Sequence, residues 1–220
     1  MLRLYSYWRS SASWRVRIAL AYKGVPFEYR AVHLVREGGE QYRADYRGIN
    51  PFSQVPVLEI DVPGGAPQRI TQSMAIIEYL EERVPAPPLF PDDPWLRARV
   101  RMLAEIVNAG IQPLHNAPSV LGYVKGILKG DEQAWARHFL TRGLTALEAS
   151  AAETAKTFLV GDQPTLADVF LIPQLASARR YGVDLAGLPT LLRVEAACDV
   201  IPAFASARPE RQPDAPPPGA

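Results

Sequence analysis

The sequence predicts an α/β layer followed by an all-α domain. Three observations carry this. Strand-like alternation and helix-like periodicity interleave over roughly the first 80 residues, the pattern of a layered α/β unit. Proline-rich punctuation, Pro85-Ala86-Pro87-Pro88 and Pro91-Asp92-Asp93-Pro94, then interrupts the chain. Each periodic segment beyond it has helical spacing. A chain of 220 residues suits one large domain or two small ones, and is long enough to bury a core.

The elements follow in order. Leu2 to Ser6 alternates and reads as a strand. Ser11 to Lys23 reads as a helix, capped by Ser10 or Ser11 and ended by Gly24-Val25-Pro26. Phe27 to Leu34 alternates again, and Gly38 to Arg47 is polar, an irregular stretch or short helix. Val55 to Ile60 is a strand opening on Pro56, one of the few places a strand tolerates proline. A Pro63–Pro67 loop leads to an edge strand, Gln68 to Thr71, and then to a helix, Ser73 to Arg83, with Ile76, Ile77 and Leu80 on one face. In the second half, helices are expected over Trp95 to about Asn116, Glu132 to about Lys156, Leu166 to Tyr181 and Leu191 to about Val200. The expected division is residues 1–84, a linker 85–93, a helical domain 94–207 and a loose tail 208–220 that carries five prolines.

Composition narrows the function. Apolar residues make up 48% and charged residues 21%, as in ordinary globular proteins. The net charge of +1 gives no broad basic field for nucleic acid or an anionic membrane, so anion binding must be local. The single cysteine, Cys198, excludes an internal disulfide framework and fits a reducing compartment. His33, His115 and His138 lack metal-ligand spacing. No apolar run reaches the roughly 20 residues of a membrane helix, and no signal peptide opens the chain. A cytoplasmic protein is expected.

Six motifs stand out. In SYWRSSASWRVRIAL, Ser10, Ser11 and Ser13 sit where a strand turns into a helix, among Arg9, Arg15 and Arg17. A helix N-terminus presents unpaired N–H groups and about half a positive charge. That favours a carboxylate, phosphate or thiolate. Read alone, the serines need be no more than caps. In NPFSQVP, a cis Val55-Pro56 bond would present a peptide edge, but only about 5–6% of X–Pro bonds are cis, so a plain loop is the simpler reading. Ser73, after Thr71-Gln72, is a natural N-cap or a second carboxylate site. Thr165 and Asp168 have capping-box spacing, a structural feature. GIQPLHN, from Gly110 to Asn116, breaks a helix with glycine and proline. Arg179 and Arg180 end a helix, where cations complement the dipole without any ligand.

Together these motifs resemble the zeta class of glutathione transferases, whose signature is SSCxWRVR. The likeness continues through NPFSQVPVL, TQSMAIIEYLEE, GIQPLHN, GDQPTLADVFLIPQ and RRYGVDL, in order along nearly the whole chain. The resemblance implies an N-terminal thioredoxin-like domain, an all-helical C-terminal domain, a homodimer, and glutathione as cofactor. Its best-known members are maleylacetoacetate isomerases, with maleylpyruvate isomerases as bacterial relatives. Carried over by position, Ser10 resembles the serine that hydrogen-bonds the glutathione sulfur, with Ser11 beside it. Val55 resembles the residue before the cis-proline that pairs with the cysteinyl group. Gln72 and Ser73 resemble the pair holding the γ-glutamyl carboxylate, and Gln41 a residue near the glycyl end. Gln112 and Asn116 match polar positions of the helical domain. Arg9 and Arg180 resemble the arginines facing a diacid substrate, with Arg179 as the fallback. Arg15 is expected to structure the turn.

Ala12 stands where the family has cysteine, so no protein thiol acts there. Some members acting on maleylpyruvate also lack it, which inclines the reading toward that branch. The implied activity is glutathione-dependent cis–trans isomerisation of a maleyl keto diacid in aromatic compound catabolism. Two alternatives stay open: a conjugating transferase or peroxidase, and a non-catalytic glutathione-binding module.

Overall fold

A computed structural model describes residues 1–217, the side chains of residues 117 and 118 excepted. The chain divides into two compact units. One joins Met1–Pro87 to the segment from Pro202 onward, and the other is Pro88–Ile201.

In the first unit, β1 (Leu2–Ser6), β2 (Glu28–Ala31), β3 (Val57–Ile60) and β4 (Gln68–Thr71) form one sheet in the order β2-β1-β3-β4. β1 and β2 are parallel, while β3 is antiparallel to both β1 and β4. A parallel pair needs a crossover, which α1 (Ser11–Tyr22) supplies. Polar turns and α2 (Ala44–Arg47) lead to β3, and α3 (Ser73–Arg83) follows β4. This is the thioredoxin-like arrangement. Helix α1 is buried without a break from Ser13 to Leu20, including Arg15 and Arg17.

β2 is shorter than the alternation over Phe27–Leu34 predicts. Pairing with β1 stops at Ser6 opposite Ala31. One further bond runs from Val32 N–H to Ser6 O, and the chain then turns, with His33 Nδ1 accepting the N–H groups of Val35 and Arg36.

The second unit holds α4 (Pro94–Asn108), α5 (Gly122–Gly126), α6 (Glu132–Ala151), α7 (Leu166–Arg180) and α8 (Pro189–Asp199). Asp93 caps α4 by accepting the Leu96 N–H at 2.8 Å, and Pro94 takes the first helical position. The helix stops at Asn108, short of Asn116, and a 3₁₀ turn over Gln112–His115 follows. Helix α6 stops at Ala151, short of Lys156, because the chain folds back there: Lys156 N–H bonds Phe158 O, and Gly161 N–H bonds Thr154 O. Helix α7 is buried nearly all round and packs against α4 and α8, as the central helix of a bundle must. The Thr165–Asp168 capping box opens it as expected. Among the described residues, no helix is long and apolar enough to cross a membrane.

The chain beyond the second unit returns to the first, and residues 208–217 of the expected tail return with it. Helix α9 (Pro202–Ser206) packs on α1, and Arg17 Nε donates to Ala207 O at 3.2 Å. Further along, Asp214 accepts from Trp8 N–H and from the Tyr29 hydroxyl. Buried polar anchors hold a segment that has no apolar pattern. Residues 218–220 of the expected tail lie outside the described residues.

Candidate functional site

The site grows from one end of the sheet. Tyr5, Val57 and Thr71 stand in register across β1, β3 and β4. At that end β1 runs into the Tyr7–Ser10 turn, Val55-Pro56 enters β3, and β4 leaves into Gln72 and Ser73. Tyr7, Val32, Tyr46, Val55 and Val57 form the apolar floor beneath, with Trp8 packed against it.

Ser10 is the N-cap of α1, which decides between the two serines the sequence offers. Its N–H donates to Tyr7 O at 3.0 Å, closing the turn. Its Oγ accepts the Ser13 N–H at 3.2 Å. That bond uses a lone pair and leaves the hydroxyl proton available to a ligand. The N–H groups of Ser11 and Ala12, in the first helical turn, have no intrahelical acceptor. One hydroxyl and two N–H groups at a helix N-terminus suit a thiolate or another small anion. Ala12 contributes only a methyl group.

The NPFSQVP loop is fixed from below. Tyr46 Oη and Asn50 Nδ2 both donate to Gln54 O, at 2.7 and 2.8 Å. Asn50 Oδ1 accepts the Phe52 N–H, and Ser53 takes the left-handed conformation at φ 55°. The Val55-Pro56 bond is cis, against the plain-loop reading and in line with the family resemblance. Val55 is buried, yet its backbone N–H and C=O have no partner among the described residues. An unpaired buried peptide is an edge on which an extended ligand can pair.

The second helix N-terminus departs from the sequence reading. The N-cap of α3 is Gln72, not Ser73, and it makes no side-chain cap bond. Gln72 is exposed with φ 70°, a conformation that costs a non-glycine residue about 1–3 kcal/mol and tends to occur at binding sites. Ser73 is buried as the first helical residue, and its Oγ accepts Arg15 Nη1 at 3.2 Å. Arg15 therefore braces the start of α3 from α1.

Gln41 is buried, with Nε2 donating to Leu34 O at 3.3 Å and Oε1 unpartnered. Gly39 (φ 105°) lies against this side chain: a Cβ there would come within 2.5 Å of Nε2. The orphaned oxygen calls for a donor such as a ligand N–H.

Arg9 is exposed, stacks over the Trp8 ring at 5.6 Å and has no ion-pair partner among the described residues. Gln112, Asn116, Arg179 and Arg180 all belong to the second unit. Gln112 lies in the 3₁₀ turn, and Asn116 is the residue at its end. Both are half-buried, with side-chain amides that have no partner among the described residues. Arg180 lies over the Tyr181 ring at 5.2 Å. Arg179 is engaged by both carboxylate oxygens of Glu195, which weakens its claim as a substrate ligand. Of the expected site residues, the first unit thus gathers Arg9, Ser10, Ser11, Val55, Gln72 and Ser73 at one sheet end.

Sequence reasoning missed Trp8 and Asp214. A carboxylate in a proline-rich tail carries no periodic signal, and only the fold brings it to the turn.

Comparison with known proteins places this geometry. Residues 9–83 match the glutathione S-transferase N-terminal domain and residues 132–205 the C-terminal domain. Mouse maleylacetoacetate isomerase is 44% identical over 213 residues, covering 97% of this chain and 94% of its own. The maleylacetoacetate isomerase of Anaeromyxobacter dehalogenans, with glutathione bound in its active site, superposes with a TM-score of 0.90 at 54% identity, covering 98% of both chains. A second structure of that protein holds dicarboxyethyl glutathione and citrate. A bacterial zeta-class maleylpyruvate isomerase superposes with a TM-score of 0.89 at 42% identity, covering 97% of this chain and 100% of its own. The chain belongs to the glutathione S-transferase family, in the zeta class of maleylacetoacetate and maleylpyruvate isomerases.

Proposed function

We propose that this protein catalyses the glutathione-dependent cis–trans isomerisation of a maleyl keto diacid. One observation carries the reading. The capped α1 N-terminus keeps the Ser10 hydroxyl proton and two N–H groups open, beside the unpaired Val55 peptide. The orphaned Gln41 Oε1 adds a third unmet need for a ligand group. These residues fit glutathione. When bound, glutathione supplies a thiolate that adds reversibly to the conjugated double bond and so permits rotation.

The protein's own groups have distinct tasks. Ser10 donates a hydrogen bond to the sulfur, and the α1 N-terminus stabilises its negative charge. Together they lower a thiol pKa from the ordinary value of about 8.5. Val55 pairs its backbone with the cysteinyl group. Gln72 and Ser73 hold the γ-glutamyl carboxylate, Gln41 lies toward the glycyl end, and Gln112 and Asn116 contribute from the helical unit. Arg9 and Arg180 bind the substrate carboxylates and the charge that develops on the conjugated ketone, as guanidinium groups do well.

A homodimer, a cytoplasmic location and a role in aromatic compound catabolism belong to the same proposal. The single cysteine, Cys198, leaves no internal disulfide framework, which fits a reducing compartment.

Incubation with maleylacetoacetate and with maleylpyruvate, with and without glutathione, tests the reading. The expected result is conversion to the trans acid only with glutathione present, and glutathione returned in full. Net consumption of glutathione would favour conjugation, with the same site acting on another electrophile. Binding of glutathione with neither acid converted would make the protein a binding module.

A further inference from the structure

We infer that Asp214 is a positioning residue for the reaction: through the Trp8 peptide, the C-terminal segment holds the Trp8–Ser10 turn in the attitude that presents the Ser10 hydroxyl and the Arg9 guanidinium. The inference rests on the glutathione reading above. Both backbone polar groups of Trp8 are held from outside the turn. Its N–H donates to Asp214 Oδ2 at 3.0 Å, and its C=O accepts Arg17 Nη2 at 3.0 Å. Trp8 immediately precedes Arg9 and stands two residues before Ser10. The carboxylate of Asp214 is itself fixed, because Oδ1 accepts the Tyr29 hydroxyl from β2 at 2.7 Å.

Arg17 makes the arrangement cooperative. Its guanidinium also donates to Ser6 Oγ, Tyr7 O and Ala207 O, so it joins β1, the turn and the tail. It is 2% exposed, and no carboxylate lies within ion-pair distance of it among the described residues. Burial pushes its pKa down to about 10, and nearby Asp214 and Tyr29 oppose that fall. Asp214 of the tail thus favours the charged form of a buried cation beneath the turn. The tail also forms one wall of a cleft of about 440 Å³ whose facing wall includes Trp8 and His33.

Catalytic groups tolerate little displacement: a misplacement of about 1 Å can cost about 100-fold in rate. Hydrogen bonds to the peptide just before Arg9 and Ser10 control such a displacement directly. Loss of a clamp that only added stability would lower the melting midpoint and leave the site chemistry alone.

The test uses the full chain with Asp214→Ala, Asp214→Asn and Tyr29→Phe. Bound glutathione is titrated by its thiolate ultraviolet absorbance, and kcat and the glutathione KM are measured on a maleyl keto acid. Asp214→Ala is expected to raise the bound thiol pKa by about one unit and lower kcat about tenfold, with a smaller change in KM. Asp214→Asn, which can still accept one N–H, and Tyr29→Phe, which loses only the outer bond, should move the same way by less. A bound thiol pKa and kcat unchanged in Asp214→Ala and Asp214→Asn overturn the inference, whatever happens to the midpoint. If Asp214→Ala does not fold, unshifted values in the other two variants overturn it equally. A wild-type enzyme that binds no glutathione thiolate overturns the glutathione reading and this inference with it. A wild-type thiolate that the variants leave untouched overturns this inference alone.

Discussion

Arg15 Nη1 donates to Ser73 Oγ across 3.2 Å in the interior of the first unit, tying the first turn of α3 to α1. Residues 58 positions apart are thereby joined. Ser73→Ala removes a buried acceptor from a guanidinium, a loss worth about 1–3 kcal/mol. The expected outcome is a lower melting midpoint together with roughly tenfold weaker glutathione binding, read by calorimetry. A lower midpoint with unchanged affinity would leave Ser73 a packing residue only.

Ser10 serves the helix and the ligand with different parts of one hydroxyl. Ser10→Ala should cost about 1 kcal/mol of stability through the lost cap. It should also raise the bound thiol pKa by about one unit and lower turnover by tenfold or more, as a rough guide. Ultraviolet titration of the complex checks the first effect and steady-state kinetics the second. Loss of stability alone would make Ser10 a cap and nothing further.

The three arginines at issue separate by their neighbours. Arg9 has no ion-pair partner among the described residues, whereas Arg179 is held by Glu195. Arg9→Ala and Arg180→Ala should each lower turnover on a maleyl keto acid by at least about tenfold, roughly 1.4 kcal/mol. Arg179→Ala, which breaks a partly exposed pair with Glu195, should change turnover by no more than about twofold. Activity retained in both of the first two variants would remove the arginine assignment.

Asp168 offers a pH-dependent stability test. Its carboxylate is fully buried and accepts the N–H groups of Leu159 and Thr165 and the Thr165 hydroxyl. Burial raises its pKa to about 6, from 3.8, and the three hydrogen bonds pull the other way. A raised folded-state pKa contributes stability that is fully present below about pH 4 and lost as pH rises through about 6. Asp168→Asn cannot titrate, and it turns an amide donor toward donors. The stability of wild type relative to Asp168→Asn should therefore grow by up to about 3 kcal/mol between pH 6 and pH 4. Denaturant midpoints at several pH values measure the difference. A difference that shrinks on acidification would show that burial does not dominate this site.

Much of this was readable along the chain. Local rules located α1 with a serine cap at its start, the Thr165–Asp168 box and the α7 span. They failed where one residue's conformation depends on distant partners. Ser73 looks like a cap, but the left-handed turn at Gln72 displaces it into the helix and toward Arg15. The Val55-Pro56 isomer is not legible locally, because cis and trans X–Pro differ by only about 0.5–1 kcal/mol and surrounding contacts outweigh that.

The sequence by itself determined the two classes of unit, the serine-rich helix start and the motifs that identify the family. Those are short-range properties of spacing, capping and turn chemistry. Only the tertiary structure decided which helix ends meet at one end of the sheet, that Arg179 is paired with Glu195, and that the proline-rich tail returns to the turn before α1. Each of those is set by hydrogen bonds between residues far apart in the chain, such as Asp214 and Trp8, 206 positions apart. Pairings of that kind leave no periodic trace in the sequence, and become visible once the chain has folded and buried the groups that need them.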